Sequence, residues 1–228
     1  MQPINIRMNT VTRSNILDTL EFKDRHLYQR TKIRGNNYQG PINGSCNRPS
    51  TTVLISRDLD VYVCICDGWL PIPVGKVLDF DSIDEIFASP KAKILQQDVA
   101  DKKFTWCAVT QCGVTKWDMQ LNYLHLSINI DESCNLACPS CRREKIMLDS
   151  GPEFESKLKS VERVLSWLEK YQDPAHIVIS GNGDCLASHI MRPIVLNYKP
   201  KAGQTFELFT NGLLMKKILS SSPLLPHT

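Results

Sequence analysis

Apolar and polar positions change rhythm twice along this chain. Residues 1–45 are mostly polar, and only Ile16, Leu17, Leu20 and Leu27 recur at roughly helical spacing behind Ser14, a suitable cap. One helix is predicted there, followed by RGNNYQGPINGS, a turn-rich linker. From residue 46 the apolar runs are short. Residues 51–56 and 61–66 read as two strands joined by the turn RDLD at 57–60, and WLPIPVGK is a loop. Ser82 and Glu85 have the spacing of a capping box and open a helix over 82–87. Pro90 interrupts it, and a second turn or helix carries Ile94, Leu95 and Val99.

Beyond residue 118 the chain alternates strands with helices. Leu124, Leu126, Ile128 and Ile130 share one face of a strand over 123–131. Phe154, Leu158, Val161, Leu165 and Leu168 form the apolar stripe of a helix over 153–172. A strand at 176–184, an apolar helix at 186–196, a strand at 204–212 and a short helix at 213–220 follow. Strand–helix–strand units of these lengths imply a parallel, right-handed sheet and an α/β fold. No internal repeat is present. The expected organisation is a polar segment and linker at 1–45, a small α+β unit at 46–118 and a parallel α/β unit at 119–228.

Composition narrows the class. Of 228 residues, 42% are hydrophobic and 22% charged, as in soluble globular proteins. A formal charge of +3 is too mild for a nucleic-acid footprint, and the basic run Arg25, Arg30, Lys32 and Arg34 reads as a solvated face. Neither a membrane span nor the apolar core of a signal peptide is visible, so a cytoplasmic protein is expected, with no membrane or nucleic-acid partner. Nine cysteines are too few for a disulfide scaffold. Clustered cytosolic cysteines more often bind metal or do redox chemistry.

The densest cluster is DESCNLACPSCRREK at 131–145, where Cys134, Cys138 and Cys141 have the spacing C-x3-C-x2-C. Structural zinc wants four ligands. A fourth would have to come from afar, with His125, His176 and His189 as candidates. Three thiolates also suffice for three irons of a four-iron cluster, leaving one iron open to an exchangeable ligand. The loop follows a strand, where parallel α/β folds place their ligand sites.

This motif after the first strand of an α/β unit resembles the radical S-adenosylmethionine (SAM) enzymes. The resemblance implies a [4Fe-4S] cluster on Cys134, Cys138 and Cys141, whose open iron binds SAM. Reductive cleavage of SAM then yields a 5′-deoxyadenosyl radical for hydrogen abstraction. Gly181-Asn182-Gly183-Asp184, ending the second strand, is similar to the family's glycine-rich SAM motif. Glycines admit close backbone approach, and an acidic end suits an ammonium. Thr210-Asn211-Gly212, ending the third strand, is also family-like, so Thr210 and Asn211 join the expected cofactor site. Ser140 stands where an aromatic residue is common, and Asp184 where glutamate is. Cys185 reads as a buried thiol.

The earlier cysteines, from Cys46 through the strand pair to Cys107 and Cys112, resemble the SPASM-type auxiliary-cluster module of this family. The implied ligands of a second iron–sulfur cluster are Cys46, Cys64, Cys107 and Cys112, with Cys66 an alternative to Cys64, and a four-cysteine zinc site fits the same residues. Leu59 occupies a turn position usually held by glycine. Trp69, Trp106 and Trp117 read as core residues of the module. The family barrel has six strand–helix units and this chain supplies about three, so a partial barrel, a fragment of a longer enzyme or a chain needing a partner, is expected. The resemblance further implies an electron donor such as a flavodoxin or ferredoxin and a peptide or small-molecule substrate. The competing expectation is a non-catalytic zinc- or iron–sulfur-binding interaction module.

Overall fold

The computed structural model describes residues 41–64, 73–107, 109, 112–180 and 183–220. The helix expected before residue 41, Cys66, Trp69, Gly181 and Asn182 lie outside the described residues. The elements are α1 (Arg48–Thr51), β1 (Thr52–Ile55), β2 (Asp60–Tyr62), β3 (Gly75–Lys76), α2 (Ile83–Ala88), α3 (Pro90–Ala100), β4 (Leu124–Ile128), α4 (Pro152–Lys170), β5 (Ala175–Ile179), α5 (Arg192–Asn197), β6 (Gln204–Leu208) and α6 (Met215–Leu219). The fold is α/β. Among the described residues six strands form a sheet of order β3-β2-β1-β4-β5-β6. β1, β4, β5 and β6 run parallel, and β2 and β3 add as an antiparallel edge.

The parallel half follows from the residue pattern. Leu124, Leu126 and Ile128 are fully or nearly fully buried beside Ile177 and Ile179, beneath Val161, Val164, Trp167 and Leu168 of α4. Each fully buried aliphatic side chain of this kind contributes roughly 1.5–3 kcal/mol. Ser82 caps α2 by accepting from Glu85 N at 3.2 Å, while the Glu85 carboxylate accepts from Asp81 N at 2.7 Å. The expected box thus closes one residue early. Ser89 caps α3, with Pro90 in its first turn, where a missing N–H costs nothing.

Two features differ from the sequence reading. β1 pairs in parallel with β4, Thr52 opposite His125 and Ile55 opposite Ile128, so one sheet crosses the boundary at 118/119. Val53, Ile55, Val61, Ile83 and Ile86 share a core with β4–β6 and α4. Trp167 reinforces the join, its Nε1 donating to Phe80 O at 3.1 Å, and Arg163 pairs with Asp81. The apolar stretch 186–196 is helical only from Arg192. Asp184 accepts from the N–H groups of Leu186 and Ala187, and Ser188 Oγ from those of Ile190 and Met191. Such local caps compete with helix bonds.

The β1–β2 turn contains Leu59 at φ 63°. This is the left-handed conformation that costs a non-glycine residue about 1 kcal/mol, and it explains why glycine suits the position. Among the described residues no helix is long and apolar enough to cross a membrane.

Candidate functional site

The C-terminal ends of β4, β5 and β6 lie side by side, because Ile128, Ile179 and Leu208 are paired in register. The three-cysteine loop leaves the end of β4 and is tied at its base. Cys134 N donates to Ile146 O at 2.7 Å, Leu148 N to Ser133 Oγ at 2.9 Å, and the Arg142 guanidinium to Glu132 O at 2.7 Å. The Cys141 and Arg142 amides both donate to Cys138 O, at 2.8 and 3.0 Å, closing a tight turn between two of the cysteines. Cys134 is half-buried, while Cys138 and Cys141 are exposed. A hydrogen bond to Cys141 raises the Arg142 guanidinium above its ordinary value.

The end of β5 presses against this loop. A Cβ at position 183 would lie 2.3 Å from the Ser133 carbonyl oxygen and 2.5 Å from that of Glu132, so only glycine fits. Asp184 N donates to Ser133 O at 2.8 Å. Asp184 is 2% exposed. Its Oδ1 accepts from Leu186 N at 3.0 Å and Ala187 N at 2.9 Å, and its Oδ2 from Thr210 Oγ1 at 2.8 Å and Asn211 N at 2.6 Å. A carboxylate offers about four lone-pair sites, so these donors use its capacity. The sequence reading aimed this acid at a ligand ammonium. In the fold it is a tie between strand ends, because a buried charge must be hydrogen-bonded.

Asn211 carries the end of β6 to the loop. Its Nδ2 donates to Asn135 Oδ1 at 2.8 Å and lies 3.9 Å from Cys134 Sγ. Its Oδ1 accepts from Leu213 N at 3.1 Å, which fixes the amide's orientation. Thus Cys134, Gly183, Asp184, Thr210 and Asn211, distant in sequence, are brought together. Sequence reasoning missed Asn135, Ser133 and Arg142, which lie in the motif but bear no spacing signal. It also missed Asp131 and Ser188, joined at 2.6 Å.

The earlier cysteines gather as well. Cys46, Cys107 and Cys112 pack on a small core of Val99, Phe104, Val109 and Val114. Burial, then the charges of Cys64 and Cys112, push the Cys46 thiol up to about 11, although the Arg48 amide donates to its sulfur at 3.4 Å. Burial, then Cys64, Cys46 and Cys112, push Cys107 well above the ordinary thiol range. The four sulfurs are therefore electrostatic neighbours.

Among the described residues no three Cys, His, Asp or Glu side chains already converge to hold a metal ion. The donor chemistry fits thiolate-bound iron or zinc at both groups, since soft sulfur ligands suit either.

The histidines do not join the cysteine loop. His125 and His176 are opposite one another near the beginnings of β4 and β5, with Thr205 next in the row. At about 3.3 Å per residue, roughly 20 Å of chain separates His125 from the loop. His176 contacts Thr205 Oγ1 at 3.0 Å and Glu207 Oε2 at 3.1 Å. Burial, then His176 and Arg48, lower His125 from 6.5 to about 4. A cavity of about 430 Å³ opens at this same end, lined by Tyr123, His176 and Thr205 among others. His189 is exposed.

No family model and no solved structure matches this chain. A 47-residue stretch is 40% identical to the methionine import ATP-binding proteins MetN 1 of Yersinia pestis bv. Antiqua (strain Antiqua) and MetN 2 of Yersinia pestis bv. Antiqua (strain Nepal516). It covers 21% of this chain and 14% of each relative. The chain matches about one seventh of the length of these relatives, too little to show a family.

Proposed function

We propose that the chain is part of a SPASM-type radical SAM enzyme, with the sheet β4–β5–β6 as the first half of its barrel and residues 46–118 as its auxiliary-cluster module. The observation that carries this reading is the meeting of the three-cysteine loop with the ends of the next two parallel strands. In a parallel α/β sheet this edge is where ligands bind.

Cys134, Cys138 and Cys141 would hold a [4Fe-4S] cluster, and Cys46, Cys64, Cys107 and Cys112 an auxiliary one. When bound, the first cluster supplies one electron to SAM, the chemistry that yields a 5′-deoxyadenosyl radical for hydrogen abstraction. The protein's own contribution is positional. Gly183 lets the second strand end lie against the cysteine loop. Asp184 fixes the third strand end to the second. Gly181 and Asn182, with the backbone at 183, complete the SAM contact in this reading, and Thr210 and Asn211 border it. A flavodoxin or ferredoxin is the proposed electron donor, a peptide the first-ranked substrate, and the cytoplasm the location.

Anaerobic reconstitution tests the proposal. A charge-transfer absorbance near ~400 nm is expected for thiolate-bound clusters. It should fall on Cys134→Ala, Cys138→Ala or Cys141→Ala. With a strong reductant, 5′-deoxyadenosine should form from SAM, from this chain or from one extended beyond Thr228. Stoichiometric zinc without labile sulfide would instead establish the non-catalytic metal module.

A further inference from the structure

Among the described residues, Asn211 is the strand-end side chain whose amide reaches both the cysteine loop and a cysteine sulfur. Its Nδ2 faces Asn135 Oδ1 at 2.8 Å and Cys134 Sγ at 3.9 Å, within reach of a weak N–H···S hydrogen bond. Three contacts hold it there, two of them on one shared oxygen. Leu213 N donates to its Oδ1 at 3.1 Å, its own N–H donates to Asp184 Oδ2 at 2.6 Å, and the preceding Thr210 hydroxyl donates to the same oxygen at 2.8 Å. Asp184 is fastened in turn to the root of the cysteine loop through its amide and Ser133 O at 2.8 Å. The array runs from β6 through β5 to Cys134 and returns through Asn135.

We propose that Asn211 is a positioning residue for the metal centre, donating its side-chain N–H to the Cys134 sulfur so as to set the electron affinity of a cluster bound there, with Asp184 and Asn135 holding the amide in place. This rests on the iron–sulfur reading of the three-cysteine loop. An amide donor on a cluster thiolate withdraws charge from sulfur and favours the reduced, more negative state. A hydrogen bond stronger in the reduced state by about 0.5–1.5 kcal/mol corresponds to a change of about two- to twelvefold in the reduced-to-oxidised ratio, and tenfold is about 59 mV for one electron.

The test is an electron-paramagnetic-resonance redox titration of the reconstituted protein, in a background of Cys46→Ala, Cys107→Ala and Cys112→Ala that leaves the auxiliary site too few thiolates to hold a cluster. Asn211→Ala and Asn211→Leu should each make the cluster harder to reduce by about two- to twelvefold. Asn135→Ala should shift it the same way by less, because Nδ2 stays but loses its guide. Leu213→Ala, a neighbouring change that keeps the amide, should leave the potential where it was. A loaded cluster with an unshifted potential in both Asn211 variants, or with the same shift in Leu213→Ala, overturns the assignment and leaves the cluster reading intact. Failure of the unaltered three-cysteine loop to take up iron and sulfide, in the parent chain as in the background variant, overturns both.

Discussion

Replacing Asp184 with alanine removes one acceptor that serves four donors. Two of these, the amides of Leu186 and Ala187, belong to buried residues; Ala187 N also donates to the Asp184 backbone carbonyl at 3.1 Å and keeps that partner, so the Leu186 amide is the buried donor left without one. Leaving a buried donor unsatisfied costs about 1–3 kcal/mol. The Thr210 hydroxyl and the Asn211 amide are nearer solvent, so water recovers part of their loss. Donors sharing one acceptor are not additive, and Asp184→Ala should therefore cost about 2–4 kcal/mol in total. Asp184→Asn separates the two oxygens. The retained Oδ1 still serves Leu186 and Ala187, while an NH2 group now opposes the Asn211 N–H. The Thr210 hydroxyl can turn to accept, but a backbone amide cannot. The expected loss is about 1–2 kcal/mol. Equilibrium urea unfolding followed by tryptophan fluorescence gives both values, with an unchanged m-value showing that only stability moved. An alanine variant within about 0.5 kcal/mol of the parent, or an asparagine variant less stable than alanine, would refute the tie.

Gly183→Ala forces a methyl group to 2.3 Å from Ser133 O, and since both neighbours are backbone the strand end must withdraw from the cysteine loop; a loss of about 2–4 kcal/mol is expected in thermal unfolding. His125, lowered from 6.5 to about 4, binds fewer protons in the folded than in the unfolded chain between those values. Its contribution to stability is full above pH 6.5 and is lost as pH falls towards about 4. At most about 3 kcal/mol is involved, and less for a partly exposed ring. His125→Gln should flatten the stability profile over that window, and an unchanged slope would count against the assignment. Cys185, pushed up to about 12 by burial and then by Asp184, should resist iodoacetamide at pH 8 while exposed Cys138 reacts, as read by peptide mass spectrometry.

Much of the fold was legible because its signals are local. Alternation at Leu124, Leu126 and Ile128 placed β4, and the stripe through Val161 and Leu168 placed α4, since burial on one face imposes the period of the element. The helix expected over 186–196 was shortened by Asp184 and Ser188, whose side chains bind the very amides a helix would use. The partnership of β1 with β4 left no sequence trace. Thr52–Ile55 is short and wholly buried, and such a run fits either edge of any parallel sheet.

The candidate site divides in the same way. The order of residues alone shows which of them carry the soft donors, their spacing at 134, 138 and 141, and their place after a strand, because covalent spacing and hydrophobic period are properties of the chain. The folded arrangement makes Cys46, Cys64, Cys107 and Cys112 neighbours and sets His125 and His176 far from the cysteine loop. It also decided that Asp184 spends its charge on the protein while Asn211 turns towards Cys134. Those outcomes depend on strand order and register, which bring residues 77 positions apart within a hydrogen bond of one another and which no local pattern encodes.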